Sequence, residues 1–367
     1  MLLVGGGADA VNVRYACGFT APDPFLYVQR GEEKHLLISM LELGRAKALG
    51  GGVKCHTVDS LNLKANARKS LGKQAAGLIK HLGLKQISVS PVCPVGLVKD
   101  LEKAGLRVRV MRRPLFPERL VKNDREIRHL RASQRAAVSA MKAAFTCIRE
   151  SEIDKKNRLV QADGSLLTSE VLRRKIERVL LDADCVAEEI IVAGGDQGVD
   201  PHERGHGALY AGKWIVLDIF PQSKVSGYWG DITRTVMKGR PSPDQKRQYQ
   251  TVLKAQKNAL SQVKPGVTGK EIHDEICRQF VAAGFETGMI DGVPQGFIHS
   301  TGHGVGLEIH EAPSVSPMGG PLEVGQVITI EPGLYYKGLG GVRIEDTVVV
   351  TEQGCSFLAR CGKEACL

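Results

Sequence analysis

Four apolar, strand-like runs in this chain each carry an acid. WIVLDIF holds Asp218, YWGDITRTVM holds Asp231, VITIEPG holds Glu331 and VRIEDTVVV holds Glu345. A carboxylate on a half-buried strand loses several kcal/mol of hydration unless something compensates it. Opposed residues of an antiparallel pair keep a constant sum of numbers, and like charges set opposite each other are destabilising. A turn centred near Ser223–Ser226 would set Asp218 against Asp231, and one centred on Gly338 would set Glu331 against Glu345. One such pair can share a proton. Two pairs on similar hairpins are better explained by bound cations, the alternative being acids that point outward to solvent.

The runs come in a repeating order. A long helical pattern begins at Asp124, with Ile127, Leu130, Ala137, Val138, Met141, Phe145 and Ile148 along one side, and Thr168 caps a second helix. The strands of Asp218 and Asp231 follow. After PSPDQ, one helix runs to Pro265–Gly266, and another starts with a Thr268-to-Glu271 capping box and ends near Gly284. The strands of Glu331 and Glu345 close the series. Two helices and two acidic strands, twice over, predict an internally duplicated α+β unit. Upstream, FLYVQR, HLLISM, KQISVS and LRVRVM read as strands, while GKQAAGLIKHLG and PVGLVKDLEKAG read as helices ending at Gly. That is a small α/β domain. With Pro114 and Pro117 marking the junction, the expected domains are residues 1–122 and 123–367.

The segment HSTGHGVGLEIHEAP, His299 to Pro313, adds imidazoles. Its glycines disfavour a helix. Read as a strand, it puts His303 in line with Val305, Leu307 and Ile309, with His310 on the other register. Glycines there let a backbone or a substrate come close. His303 is therefore the candidate ligand and His310 the candidate substrate contact, while His299 is either a supporting or a purely structural residue. Four carboxylates and one imidazole, without thiolate, suit two divalent ions such as Mn²⁺, Co²⁺, Fe²⁺ or Zn²⁺ better than one structural zinc. Five ligands exceed one tetrahedral ion, whereas two ions can share bridging carboxylates. Arg343 lies two residues before Glu345 and shares its strand face. It is expected to offset surplus negative charge, orient a ligand carboxylate or bind a substrate carboxylate.

Composition narrows the class. The chain is 43% hydrophobic and 25% charged, with a net charge of +10. Residues 1–123 hold 20 Lys and Arg against 9 Asp and Glu, whereas residues 124–367 hold 30 against 31. The excess is spread through the first third with few aromatics, which argues for solubility or steering of acidic ligands and against nucleic acid. No apolar run of about 18 residues predicts a membrane span. MLLVGGGADAV lacks the basic start of a secretory leader. Nine scattered cysteines without a CxxC support neither a disulfide frame nor a zinc knuckle, so reduced thiols in a cytoplasm are expected.

Together, PHERG, LDIF…GYWGDITRT, HSTGHGVGLEIHEAP, TIEPG and GVRIEDT, in that order, resemble the pita-bread metallopeptidases, in the branch of Xaa-Pro aminopeptidases and prolidases. The resemblance covers most of the chain, and the basic first domain is similar to the creatinase-type domain of that branch. It implies a pita-bread catalytic domain holding two divalent ions, with Mn²⁺ the leading metal. Asp218 would chelate one ion, Asp231 and Glu345 would bridge both, and His303 and Glu331 would hold the other. Glu331 would also be the general base. His202, in PHERG, matches the family histidine that contacts the scissile amide, and His310 the one that stabilises the tetrahedral intermediate. Peptides with proline at the second position are the implied substrates and a homodimer the implied assembly.

The chain departs from the family pattern at three points. The first aspartate pair is more widely spaced, and Gly230 stands where a serine often precedes the second aspartate. Ser314 stands where similar prolidases carry an arginine, after HExP, that holds the dipeptide's carboxylate. The last departure favours an aminopeptidase P over a prolidase, with Arg343 able to substitute in part. The rival readings are a metal-free relative, either creatinase-like or peptide-binding, and an unrelated binding protein with surface acids. The first commonly loses metal ligands, and this chain keeps all of those that the resemblance implies.

Overall fold

Leu2–Gly5, which sequence reading weighed only as the start of a leader, is a central strand of a six-stranded sheet. In a computed structural model that describes every residue except Lys64 and Arg113, and the side chains of all but these and Ala65 and Asn66, the sheet lies in the unit Met1–Pro117. Its order is Val53–His56, Glu33–Leu37, Phe25–Arg30, Leu2–Gly5, Gln86–Val89, Arg107–Val110. Leu2–Gly5 runs antiparallel to Phe25–Arg30 and parallel to Gln86–Val89. Helices Leu71–His81 and Val95–Lys103 cover one face, packing Leu78, Ile79 and Leu101 onto Leu2, Val4 and Leu26. Helix Ala10–Cys17 lies against the other, where Val13 meets Leu3, Tyr27 and Leu36. A strand covered on both faces is an unbroken apolar run, with none of the alternation that marks a half-exposed one.

The second unit, Glu118–Leu367, repeats one motif. Helix Asp124–Glu150 is capped by Asn123, one residue before the expected Asp124, because the Asn123 side chain and Glu126 form a reciprocal capping box. Helix Ser169–Asp182 follows, capped by Thr168 as read. Both pack on the antiparallel sheet Ile191–Gly194, Ile215–Ile219, Ile232–Val236. Helices Pro243–Gln262 and Gly269–Ala282 then pack on a five-stranded sheet. Its order is Glu311–Val315, Gly302–Gly304, Val327–Ile330, Asp346–Thr351, Gly354–Phe357. Each repeat buries its own apolar core.

A seam joins the repeats. The hairpin Gly333–Tyr336/Gly340–Arg343 leaves the second sheet, and its outgoing strand runs beside Ile232–Val236. The Glu345 N–H bonds the Thr233 carbonyl at 3.1 Å, and the Thr235 hydroxyl bridges the Arg343 N–H and carbonyl at 3.0 and 3.1 Å. The seam is tight: a Cβ on Gly341 would lie 1.8 Å from the Gly198 carbonyl oxygen.

Helix Asp124–Glu150 also presses on Gly230. A Cβ there would meet the Ser133 carbonyl carbon and oxygen at 2.6 and 2.7 Å, which accounts for the glycine found where the family pattern often has serine. Helix backbone cannot swing aside. Gly230→Ala is therefore expected to cost about 1–3 kcal/mol through overpacking. Urea denaturation checks this, and an unchanged midpoint would show that the helix yields freely.

Candidate metal centre

Asp218 lies in the strand Ile215–Ile219, and Asp231 immediately precedes Ile232–Val236. The two do not face each other as the turn placement predicted. Asp218 is opposite Thr233, because Gly227, at φ +77°, closes the turn onto the Ser223 carbonyl and shifts its centre to Val225–Ser226. A shift of this parity leaves both acids on one face of the sheet, as diagonal neighbours. Asp231 stands just outside its ladder, yet both its backbone groups are paired. Its N–H bonds Gln134 Oε1 at 2.8 Å, and its carbonyl accepts from Gln134 Nε2 at 2.7 Å and the Thr347 hydroxyl at 2.8 Å. The Gln134 amide takes the place of a neighbouring strand.

The second pair keeps its expected register. Ile330 is opposite Asp346 and Gly333 opposite Arg343, so Glu331 and Glu345 fall opposite one another between the two ladders. His303 reaches them from Gly302–Gly304, whose pairing with Glu311–Val315 shifts register between His303 and Gly304. Here the strand reading of 299–313 needs correction. The strand stops at Gly304 and residues 305–310 bend, so His303 and His310 are not kept apart by alternation. Their rings meet edge to face, 4.3 Å between centroids.

Ligand atoms of Asp231, His303 and Glu345 lie within 4.8 Å of one another. His303 Nε2 is also 3.3 Å from Glu331 Oε1 and 3.6 Å from Asp231 Oδ2. Burial, then the charges of Glu345, Asp218 and Glu331, push the Asp231 carboxyl well above its usual range. Burial followed by Glu331 and Asp218 does the same to Glu345. Burial also opposes the charges of His303 and Glu331, but the hydrogen bond between them prevails. It raises the imidazole to about 9 and, with His299 and Arg343, holds the Glu331 carboxyl low.

Arg343, 3% exposed, neutralises part of this charge. Its Nη2 binds Asp218 Oδ2 at 2.7 Å and its Nη1 binds the Tyr335 hydroxyl at 2.8 Å. Its Nε reaches Thr233 Oγ1 at 3.2 Å, and that hydroxyl donates to Glu345 Oε2 at 2.9 Å. Among the described residues, the buried Asp218 Oδ1 has no hydrogen-bond partner, and Asp218 lines the cavity. An orphaned carboxylate oxygen, three convergent donors and a fifth, Glu331, 3.3 Å from His303, fit divalent cations bound by oxygen and imidazole.

These groups line one cavity of about 600 Å³ together with His202, His299, His310 and Ser314. Of the roles weighed for Arg343, orienting Asp218 and offsetting charge match its contacts, since all three guanidinium nitrogens are engaged internally. His299 accepts from the Tyr335 hydroxyl at Nε2, 2.8 Å, and donates to the Ser300 carbonyl at Nδ1, 2.7 Å. Burial holds it neutral, with its pKa lowered to about 4. Ser314 stands opposite His303. Sequence reading missed Gln134, Thr233, Tyr335 and Arg234. Arg234, fully buried, pairs with Asp346 at 2.7 Å and bonds the carbonyls of Thr233 and Glu345. Only Thr233 and Arg234 left any trace, as polar residues inside an apolar strand.

The profile of metallopeptidase family M24 matches residues 128–352. A Xaa-Pro dipeptidase of Pyrococcus horikoshii is 34% identical over 287 residues, 77% of this chain and 75% of the relative. The solved Xaa-Pro dipeptidase from Bacillus anthracis aligns with a TM-score of 0.83 at 26% identity, over 100% of this chain and 94% of that one. An X-Pro aminopeptidase from Thermotoga maritima gives 0.79 at 25%, over 100% and 95%. The fold is the expected one, a small α/β unit followed by a pita-bread unit. The chain belongs to metallopeptidase family M24, in the branch of the Xaa-Pro peptidases.

Proposed function

We propose that this peptidase cleaves the bond preceding proline, acting on Xaa-Pro dipeptides, with two divalent ions held by Asp218, Asp231, His303, Glu331 and Glu345. Mn²⁺ is the leading metal. The observation that carries this reading is the convergence of the donor set in one cavity that His202 and His310 also line. When bound, such ions supply Lewis acidity, acidifying water and polarising a carbonyl oxygen. The chain's own residues do the rest. Glu331 Oε accepts the proton of the attacking water and passes it to the leaving proline nitrogen. His310 donates to the developing oxyanion, a contribution of about 3–4 kcal/mol for such a donor. His202 holds the scissile amide. Arg343 and Thr233 keep the Asp218 and Glu345 carboxylates aimed inward.

The names of the relatives favour a dipeptidase over the aminopeptidase that Ser314 led the sequence reading to expect: both the Pyrococcus horikoshii and Bacillus anthracis proteins are Xaa-Pro dipeptidases. Ser314 still supports aminopeptidase action as a second reading, because it puts a neutral side chain at the cavity-lining position paired with His303 on the neighbouring strand, where a cation would hold a dipeptide's carboxylate. Turnover of an Xaa-Pro dipeptide against an Xaa-Pro-Yaa tripeptide, with and without Mn²⁺, separates them. The dipeptide should be cleaved faster and Ser314→Arg should widen its lead. A tripeptide preference would favour the second reading, and cleavage of neither would end both.

Glu331→Gln should keep much of the metal while kcat falls by about 10²-fold or more, the scale of lost general-base catalysis. Retained turnover would show that another group is the base. Metal capture should also release protons. His303 carries one below about 9, and Asp231 and Glu345 are shifted upward as well. Binding requires their charged or neutral ligand forms, so affinity should rise with pH until His303 has titrated. Calorimetry in buffers of different ionisation enthalpy measures the protons released, and a buffer-independent heat would contradict this.

A further inference from the structure

The His310 ring lines the cavity but, among the described residues, makes no hydrogen bond; it packs edge to face with the His303 ring, 4.3 Å between centroids. Its position must therefore come from the backbone of residues 305–311, which begins beyond the end of a strand. That backbone is held from beneath. The Glu311 carboxylate turns back under the bend and is 9% exposed at its side chain. Its Oε1 accepts from Lys122 Nζ at 2.7 Å, and its Oε2 accepts from Arg119 Nη2 at 2.7 Å and, more weakly, from the Glu308 N–H at 3.4 Å. Arg119 also bonds Glu308 Oε2 at 2.7 Å. The bend is fitted around this carboxylate: a Cβ on Gly306 would lie 2.2 Å from Glu311 Oε1. From the other side, the Trp229 N–H and indole bond the carbonyls of Gly306 and Leu307 at 2.9 and 3.1 Å.

Lys122 is a fixed post. Its side chain is 1% exposed, and its N–H bonds the Gly325 carbonyl at 2.9 Å. Gly325 in turn donates to the Val350 carbonyl in the central sheet at 2.9 Å. A surface ion pair could be lost without consequence. A buried carboxylate that loses one of its two cations keeps Arg119 alone and leaves Oε1 unpaired, which favours a shift of the bend toward solvent. Neither Lys122 nor Arg119 lies within the segment that matches the family profile, 128–352.

We propose that Lys122 and Arg119 are positioning residues for His310, acting through Glu311. The proposal rests on the catalytic role given to His310 above. Displacing an oxyanion donor by about 1 Å costs on the order of 10²-fold in rate. Lys122→Met should therefore lower kcat for an Xaa-Pro dipeptide by roughly ten- to a hundred-fold, with little change in KM and none in metal stoichiometry or affinity. Glu311→Gln, close in shape but uncharged, should act in the same direction. Lys122→Arg should recover part of the loss. In a His310→Ala background, Lys122→Met should cost nothing further, because residues that act as one unit are not additive.

Hydrogen exchange of the whole metal-loaded protein supplies a readout without substrate. In Lys122→Met, amides of 305–311 should lose protection while those of 302–304 and 327–330 keep theirs. Loss of protection across all three segments would mark general destabilisation and overturn the assignment. So would unchanged protection at 305–311, or a kcat loss that adds in full to that of His310→Ala. If wild-type protein cleaves no Xaa-Pro peptide, the proposed function fails, and the exchange pattern alone still decides whether Lys122 orders the bend.

Discussion

Four carboxylates share one buried cavity, and their mutual repulsion is what the surrounding structure is arranged to contain. Asp231 and Glu345 are almost fully buried, at 4% and 2% exposure. Desolvation and like charge both oppose ionising them. The protein meets this with the internal cation Arg343 and the imidazole of His303, and leaves an Asp218 oxygen without a partner among the described residues. The charge is incompletely balanced by the chain itself, which is the condition under which bound cations become part of the fold's energetics.

The supporting groups follow from that demand. Carboxylates that repel one another hold their aim only if their backbones cannot drift. Asp218 is held inside its sheet, and the other three backbones are each fastened to something outside their own ladder. Asp231 is held by the Gln134 amide, Glu345 by Thr233 and Arg234, and Glu331 by the Thr301 carbonyl, which its N–H bonds at 2.8 Å. His310 belongs to the same scheme: its ring is free on the cavity side and its backbone anchored underneath.

What was legible in the sequence depended on how local the cause was. The Glu331–Glu345 register could be read because a single glycine-rich turn at Gly338 sets one register that both flanking ladders keep. The Asp218–Asp231 register slipped because the turn holds several polar residues, any of which could have been its centre, and Gly227 decides. The duplicated helix and strand order was plain from periodicity, as were the Thr168 and Thr268 caps. Leu2–Gly5 was not, since a strand buried on both faces gives no alternation to detect. Gln134 was illegible for another reason. It sits on a helix far upstream, where a buried amide cannot be told from a solvent-facing one until the sheet packs against it.

The seam between the repeats has a consequence for assembly. Asp218 and Asp231 come from the first repeat, and His303, Glu331 and Glu345 from the second. A chain in which only the first repeat has folded offers two acids and no imidazole, too few donors to retain an ion against water. Under the proposed ligand set, the two repeats must therefore be docked before all five donors share one cavity. During synthesis from the N-terminus, the last of the proposed donors, Glu345, is added only after the second repeat's helices and most of its strands, so the set is complete only once both repeats have been made.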